Sequence, residues 1–167
     1  LISLDFTKFK TNYLVNMSNM FNGCSSLKSL DLSNFKTNNV KSMEKMFYDC
    51  NSLENLDVSS FDTLNVIKMD YMFGNCTTLQ TLNLSNFETK RVKSMQGMFY
   101  NCEHLIGLNI SNFKTDETIN MSEMFSGCKE LKSNNLSKFN TYNVTQMNKM
   151  FYKCSALTSL DITNFNT

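Results

Sequence analysis

Six cysteines recur at a constant step of 26 residues, and their thiols are the first groups in the chain that could do chemistry. They are Cys24, Cys50, Cys76, Cys102, Cys128 and Cys154. A metal cluster would need pairs at short spacing such as C-x-x-C, and the sequence contains none. In-register side chains on parallel repeats point the same way, which disfavours a disulfide between them. Each cysteine also ends an apolar stripe, so we predict free, buried thiols that belong to the structural core.

A second column at the same step carries a carboxylate or an amide side chain in every repeat. It consists of Asp5, Asp31, Asp57, Asn83, Asn109, Asn135 and Asp161. Oxygen ligands of this kind suit Ca²⁺, so Asp5, Asp31 and Asp57 form an alternative cation site, although the change to Asn after Asp57 argues against a repeated one. The other interpretations are a solvated ladder of hydrogen bonds and a contact surface for a partner. We predict no metal and keep the column from Asp31 to Asn135 as a candidate partner-binding surface.

Tyrosines recur at twice the step, at Tyr48, Tyr100 and Tyr152, with Asn22, Gly74 and Ser126 at the equivalent positions between them. Exposed tyrosines are frequent at protein interfaces, so these three are further candidates for partner binding. The alternative is that each phenol lies along the neighbouring repeat and covers it.

Catalysis is not predicted. His104 is the single histidine of the chain, and without a serine, cysteine or second histidine in its column it forms neither a triad nor a metal-ligand set. The sequence has no Gly-rich phosphate loop and no paired carboxylates in a plausible cleft. We therefore expect no enzymatic activity and no cofactor.

The charge balance excludes other classes of function. With a net charge of +1 and 19% charged residues, the chain produces no strong field that would attract nucleic acid. No apolar run approaches the roughly 18 residues of a membrane span. Nucleic-acid binding and a membrane span within this stretch are not predicted.

The elements that position these columns follow from the 26-residue period itself, which is the signature of a solenoid. The period divides the chain into six full repeats and a partial seventh, all in one domain. The repeats are 1–26, 27–52, 53–78, 79–104, 105–130, 131–156 and 157–167. Because the chain begins and ends within a repeat, we expect it to be a piece of a longer array.

One repeat, Leu27 to Ser52, predicts a strand, a turn, a helix and a second turn. Leu30 and Leu32 alternate with polar residues, which is the period of a strand with one buried face. A following apolar set has the spacing of one face of a helix: Val40, Met43, Met46, Phe47 and Cys50. Gly and Asn dominate at the position before each cysteine, as expected where a helix ends in a left-handed residue.

Such short units must stack to bury their apolar faces. Strands repeat at about 4.8 Å and packed helices at about 8–10 Å, so the stack should bend with its strands inside. The sequence therefore predicts a right-handed α/β solenoid, with a parallel sheet on the concave side and short helices on the convex side. Uncapped end repeats would favour end-to-end self-association.

The segment Cys24-x-x-Leu27-x-x-Leu30-x-Leu32 resembles the core of leucine-rich repeats. The longer string LxxLDLSNFxTxxVxxMxxMFxxC is similar to the Met- and Phe-rich, BspA-like branch of bacterial surface proteins and lipoproteins. One departure stands out: Phe35 occupies the place of the usual Asn/Cys ladder, so Ser33, Asn34 or Thr37 should bond that turn instead. The resemblance implies a cell-surface or secreted adhesion module that contacts a host protein, matrix component or glycan. A passive spacer and a Ca²⁺-binding array are the alternatives.

Overall fold

The computed structural model of the chain describes Phe6 and residues 9–166. The strands in this part are β1 (Thr81–Asn83), β2 (Gly107–Asn109), β3 (Ser133–Asn135) and β4 (Ser159–Asp161). β1 pairs in parallel with β2, and β3 pairs in parallel with β4. Partners such as Leu82 and Leu108 lie one repeat apart, so the predicted parallel, in-register stacking is observed.

The inward and outward alternation of the strand segment extends beyond these short strands. Leu30 and Leu32 are buried and Asp31 between them is exposed, although residues 29–33 form no assigned strand. The pattern of leucines therefore fixes which side chains enter the core more strictly than it fixes the hydrogen-bonded ladder.

The predicted helices on the other side are wrong, because no described residue lies in an α-helix. In the repeat 27–52, the N–H groups of Met46, Tyr48 and Cys50 each bond the carbonyl three residues back, at 3.2 Å. The N–H groups between them leave the repeat altogether: Phe47 N–H donates to Met72 O at 2.9 Å, and Asp49 N–H to Gly74 O at 3.0 Å. Tight turns and bonds between repeats alternate along this segment.

Two left-handed residues in each repeat make this pattern possible. Lys45 has φ 53° and Asp49 has φ 59°, and a helix cannot continue through such residues. The left-handed backbone predicted before each cysteine is found at every one of those positions: Gly23, Asp49, Asn75, Asn101, Gly127 and Lys153. It ends a turn rather than a helix.

We call the surface formed by these turns, residues 43–50 and their equivalents in the other repeats, the turn side. It carries its own parallel ladder, a row of single bridges that starts at Asn16↔Ser42 and ends at Asn120↔Gln146. Stacked phenylalanine rings follow the same step, with 5.6 Å between the centroids of Phe47 and Phe73 and 5.8 Å between those of Phe73 and Phe99. The wide helix spacing from which the curved shape was predicted is therefore absent.

The apolar set that was assigned to a helix is buried all the same. Val40, Met43, Met46, Phe47 and Cys50 are each 0% exposed. They belong to one core of leucine, phenylalanine, methionine, valine and cysteine side chains that continues from repeat to repeat. A repeat buries its apolar residues against its neighbours, as a solenoid requires.

Candidate interaction surface

The column of Asp and Asn residues closes a turn at the end of the strand segment. Oδ1 of Asp57 accepts the N–H of Ser59 at 2.9 Å, and Oδ1 of Asn83 accepts the N–H of Ser85 at 3.1 Å. The same bond to the residue two positions on is made by Asp31, Asn109 and Asp161. Carboxylate and amide oxygens both serve as the acceptor of such an Asx turn, which explains why Asp and Asn interchange in this column.

The hydrogen bonds of this turn lower the pKa of carboxylates in the column. The backbone N–H of Ser33 lowers the pKa of Asp31, and that of Ser59 lowers the pKa of Asp57. Among the described residues, no three or more His, Cys, Asp or Glu side chains are grouped to hold a metal ion. Asp5 and the side chain of Asn135 lie outside the described part. Wherever the structure describes this column, one oxygen of each side chain is used within its own repeat.

A buried threonine in each full repeat bonds the turn that follows the Phe35-equivalent residue of the next repeat. Thr63 Oγ1 donates to Glu88 O at 3.1 Å and accepts Glu88 N–H at 2.8 Å. The same pair of bonds to the next repeat is made by Thr11, Thr37, Thr89, Thr115 and Thr141. We call these six residues the threonine ladder. Of the three residues that the sequence offered for this turn, two columns bond it: Thr37 and its equivalents, and the column of Asn34, in which Asn86 Nδ2 donates to Val58 O at 3.1 Å and to Phe61 O at 3.0 Å.

The cysteines are free, and a thiol joins each pair of adjacent repeats among the six full ones. Cys102 Sγ donates to Phe73 O at 3.1 Å, and four other cysteines bond the equivalent carbonyl: Cys50, Cys76, Cys128 and Cys154. Cys24 and Cys154 are half-buried and the other four are buried. Burial raises the pKa of Cys50 to about 12 and that of Cys102 well above its usual value. Such thiols are poor nucleophiles.

The three predicted tyrosines are not brought together as a set. Tyr48 and Tyr100 are half-buried, whereas Tyr152 is 52% exposed, with Lys153 Nζ 5.3 Å from its ring centroid. The ring of Tyr48 covers Gly74 of the next repeat, where a Cβ would come within 2.8 Å of Cδ2. Covering the neighbouring repeat is thus part of the role of Tyr48.

A fourth tyrosine, which the sequence analysis did not single out, joins two of the three. Tyr71 lies edge-on between Tyr48 and Tyr100, with ring centroids 6.0 and 5.9 Å away and interplanar angles of 88° and 74°. Edge-to-face geometry of this kind is favourable for aromatic pairs. The three rings form one aromatic row along the turn side, which we call the tyrosine row.

Two charged residues complete the cluster. Lys45 Nζ is 5.8 Å from the ring centroid of Tyr48 and 5.9 Å from that of Tyr71. Tyr71 Oη donates to Glu123 Oε2 at 2.9 Å and accepts from Gln96 Nε2 at 3.1 Å. Burial, together with the hydrogen bond and charge of Glu123, raises the pKa of Tyr71 to about 12. Lys45, Glu123 and the tyrosine row line an open depression of about 320 Å³.

A sequence signal for this cluster exists in the column of left-handed residues on the turn side. That column is Asn19, Lys45, Tyr71, Gly97, Glu123 and Lys149. Tyr71 is its one aromatic member, and Gly97 follows it in the next repeat, where a Cβ would overlap the Tyr71 ring. A large residue followed one period later by glycine is the pattern that would have predicted the contact.

None of the described residues builds a helix long and apolar enough to cross a bilayer. The stacked strands, the threonine ladder and the core that continues from repeat to repeat define the class of protein: a solenoid of the leucine-rich-repeat kind. The sequence profile of the family described as "Mycoplasma protein of unknown function, DUF285" matches residues 2–105 and again 69–167. The chain belongs to that family.

A solved structure shares the repeat fold. A leucine rich cell surface protein from Faecalibacterium prausnitzii A2-165 is 24% identical with a TM-score of 0.59, and the match covers 86% of this chain and 35% of that one. The T. pallidum leucine-rich-repeat protein TpLRR is 18% identical with a TM-score of 0.40, over 87% of this chain and 72% of that one. The chain thus spans about a third of the length of the Faecalibacterium protein. No match was found among curated proteins. The predicted resemblance to leucine-rich-repeat surface proteins is confirmed at the level of the fold.

Proposed function

We propose that the chain is a non-catalytic recognition module of the cell surface or of a secreted protein, and that it binds a protein partner through the tyrosine row. The observation that carries the proposal is the cluster of Tyr48, Tyr71 and Tyr100 around one depression. Tyrosine supplies a large contact area with few rotatable bonds, and it is enriched among the residues that dominate binding energy. The fold shared with a bacterial cell-surface protein supports the location.

The two faces of the solenoid differ in what they can offer a partner. On the strand side, one side-chain oxygen of Asp57 and of its equivalents already accepts a hydrogen bond within its own turn. On the turn side, the rings of Tyr48 and Tyr71 are held in place by their neighbours, so that little side-chain entropy is lost on binding. Preorganisation therefore favours the turn side as the contact surface.

Binding of the chain to a panel of purified matrix proteins and to a glycan array tests the proposal. We expect a protein of the panel to bind, and Tyr48→Leu and Tyr100→Leu to weaken that binding at least about tenfold. Tyr142→Leu is the matched control, because Tyr142 is 79% exposed and lies outside the tyrosine row. The double variant Asp31→Asn/Asp57→Asn tests the strand side without removing the turn acceptors.

Three results would contradict the proposal. Binding that depends on the strand-side variant and ignores Tyr48→Leu would move the contact surface to the other face. Binding to glycans and to no protein would show that the partner is a glycan. A chain that binds nothing in either panel, and whose tyrosine variants behave as wild type, would favour the passive spacer.

A further inference from the structure

Lys45 shows what the depression on the turn side attracts. Its ammonium group lies within 6 Å of the ring centroids of both Tyr48 and Tyr71, which is the range of a cation–π interaction. The side chain reaches this place from the repeat before Tyr71, along the same column of left-handed residues. A cation of the chain itself therefore occupies the aromatic faces.

The carboxylate of Glu123 supplies a negative charge in the same depression. Among the ion pairs of the described residues, none includes Glu123, and its side-chain hydrogen bond within that part is the one that Tyr71 donates to Oε2. That bond leaves Oε1 for a second donor. Lys45 fills the aromatic end of the depression, and its ammonium group forms no ion pair with the carboxylate at the other end.

We propose that the depression is a recognition site for an arginine side chain of a partner polypeptide, with Lys45 as an internal occupant that the arginine displaces. The inference rests on the proposed function, because it specifies the chemistry of the partner at the tyrosine row. A guanidinium group is planar, stacks on an aromatic face and donates in-plane N–H bonds to a carboxylate. The carboxylate of Glu123 lies at the Oη end of the Tyr71 ring, with 2.9 Å between Oη and Oε2, so a guanidinium stacked on that ring can also reach the carboxylate.

Tyr152 gives an internal comparison. Lys153 Nζ lies 5.3 Å from the ring centroid of Tyr152, so the cation–π contact is repeated there. Within the described residues, the ring contacts of this surface join Tyr71 to Tyr48 and Tyr100 and do not include Tyr152. Substitutions at this pair control for the general effect of removing a lysine or a tyrosine from the turn side.

An NMR titration of the chain with the peptide acetyl-Gly-Arg-Gly-amide tests the site. The matched peptide carries citrulline in place of arginine, which keeps the planar shape and removes the charge. We expect the arginine peptide to shift the ring resonances of Tyr48 and Tyr71, and to bind about tenfold more tightly than the citrulline peptide. Vesicles of phosphatidylcholine form a further arm, because a choline headgroup is also a cation that aromatic faces recognise.

Four variants locate the effect. Lys45→Met removes the internal occupant and should tighten binding about three- to fivefold, whereas Lys153→Met, which removes the lysine over the Tyr152 ring, should leave it unchanged. Glu123→Gln should weaken binding about tenfold. Tyr152→Leu should bind as wild type does. Thermal melting checks that each variant is folded, and the two peptides still decide the outcome on the wild-type chain if a variant is not.

The arginine site would be overturned if the two peptides bound with equal affinity. It would also be overturned if Lys45→Met bound the arginine peptide more weakly than wild type, or if Glu123→Gln bound it with unchanged affinity. Binding to the vesicles without binding to the arginine peptide would overturn it as well. These outcomes differ from a failure of the proposed function. If a matrix protein binds through Tyr48 and Tyr100 while the peptides do not distinguish charge, the recognition module stands and the arginine site does not.

Discussion

Tyr71 donates a 2.9 Å hydrogen bond to Glu123, a residue of the same column two repeats further along the chain. The phenol reaches it by crossing Gly97, the member of that column in the intervening repeat. Tyr71 itself has φ 52°, a conformation that bulky residues rarely adopt. The bond to Glu123 and the 3.1 Å bond from Gln96 therefore hold an aromatic side chain on an unfavourable backbone.

Gly97→Ala tests this arrangement directly. An added Cβ overlaps the Tyr71 ring and also places a side chain at φ 55°, so we expect a loss of about 1–3 kcal/mol in the free energy of unfolding. Gly74→Ala should cost less, because its φ is not positive and its Cβ meets the ring edge of Tyr48 at 2.8 Å and the carbonyl oxygen of Tyr71 at 3.4 Å. Urea unfolding of the two single variants and of the double variant Gly97→Ala/Tyr71→Ala measures these differences in the free energy of unfolding. Equal costs at the two glycines would count against the contact.

The ionisation of Tyr71 gives a prediction in alkaline solution. Its pKa is raised from 10.0 to about 12 by burial and by Glu123, so the unfolded chain releases this proton more easily than the folded one. The stabilisation is complete below pH 10 and is lost as the pH rises through about 12. Glu123→Gln should lower the pKa of Tyr71, seen as an earlier rise in phenolate absorbance. An identical titration curve for the variant would contradict the assigned role of Glu123.

The sequence predicts which residues are buried better than it predicts the backbone that carries them. Met43, Met46, Phe47 and Cys50 were assigned to the core and are buried, because apolar spacing reports the buried face. The backbone that carries them was predicted wrongly as a helix. Turns with left-handed residues produce the same spacing, and carbonyl groups of the next repeat replace the acceptors that a helix would provide within itself.

The candidate surface shows the opposite case. Tyr48 and Tyr100 were predicted from their own recurrence, but Tyr71 belongs to another column and recurs nowhere in it. Its partner Glu123 is 52 residues away, and only the stacking of repeats brings the two together. A residue that breaks a repeat is visible in the sequence, whereas its partners become visible only when the columns are placed side by side.

Thr63→Val tests the threonine ladder. The substitution keeps the shape of a buried side chain that is 1% exposed but leaves Glu88 N–H and O without their partner, so we expect a loss of about 1–3 kcal/mol in unfolding free energy. Thr63→Ser retains the hydroxyl and serves as the control. Urea unfolding of the two variants gives the comparison, and a Val variant as stable as the Ser variant would show that the hydroxyl bonds contribute little.

The cysteines should react with a thiol reagent in the order of their exposure. Cys24 and Cys154 are half-buried and should be alkylated first. Cys76 and Cys102 should react only as the chain unfolds, because burial raises the pKa of both thiols and blocks access. Mass spectrometry of alkylated peptides measures this order. Unfolding without reductant should expose all six thiols, and a mass with three disulfides would exclude the structural role.

Asp57→Asn and Asp57→Ala separate the turn bond of the strand side from its charge. The bond from Ser59 N–H lowers the pKa of Asp57 below 3.8, so the stabilisation is present above that pH and is lost as the pH falls through the lower, folded value. The Asn variant keeps the acceptor and should lose less stability than wild type on acidification below about pH 4. The Ala variant lacks the acceptor and should melt at a lower temperature at every pH. Thermal melts at neutral and acid pH distinguish the two, and an Asn variant that behaves like the Ala variant would show that charge, rather than the Asx turn, holds this column.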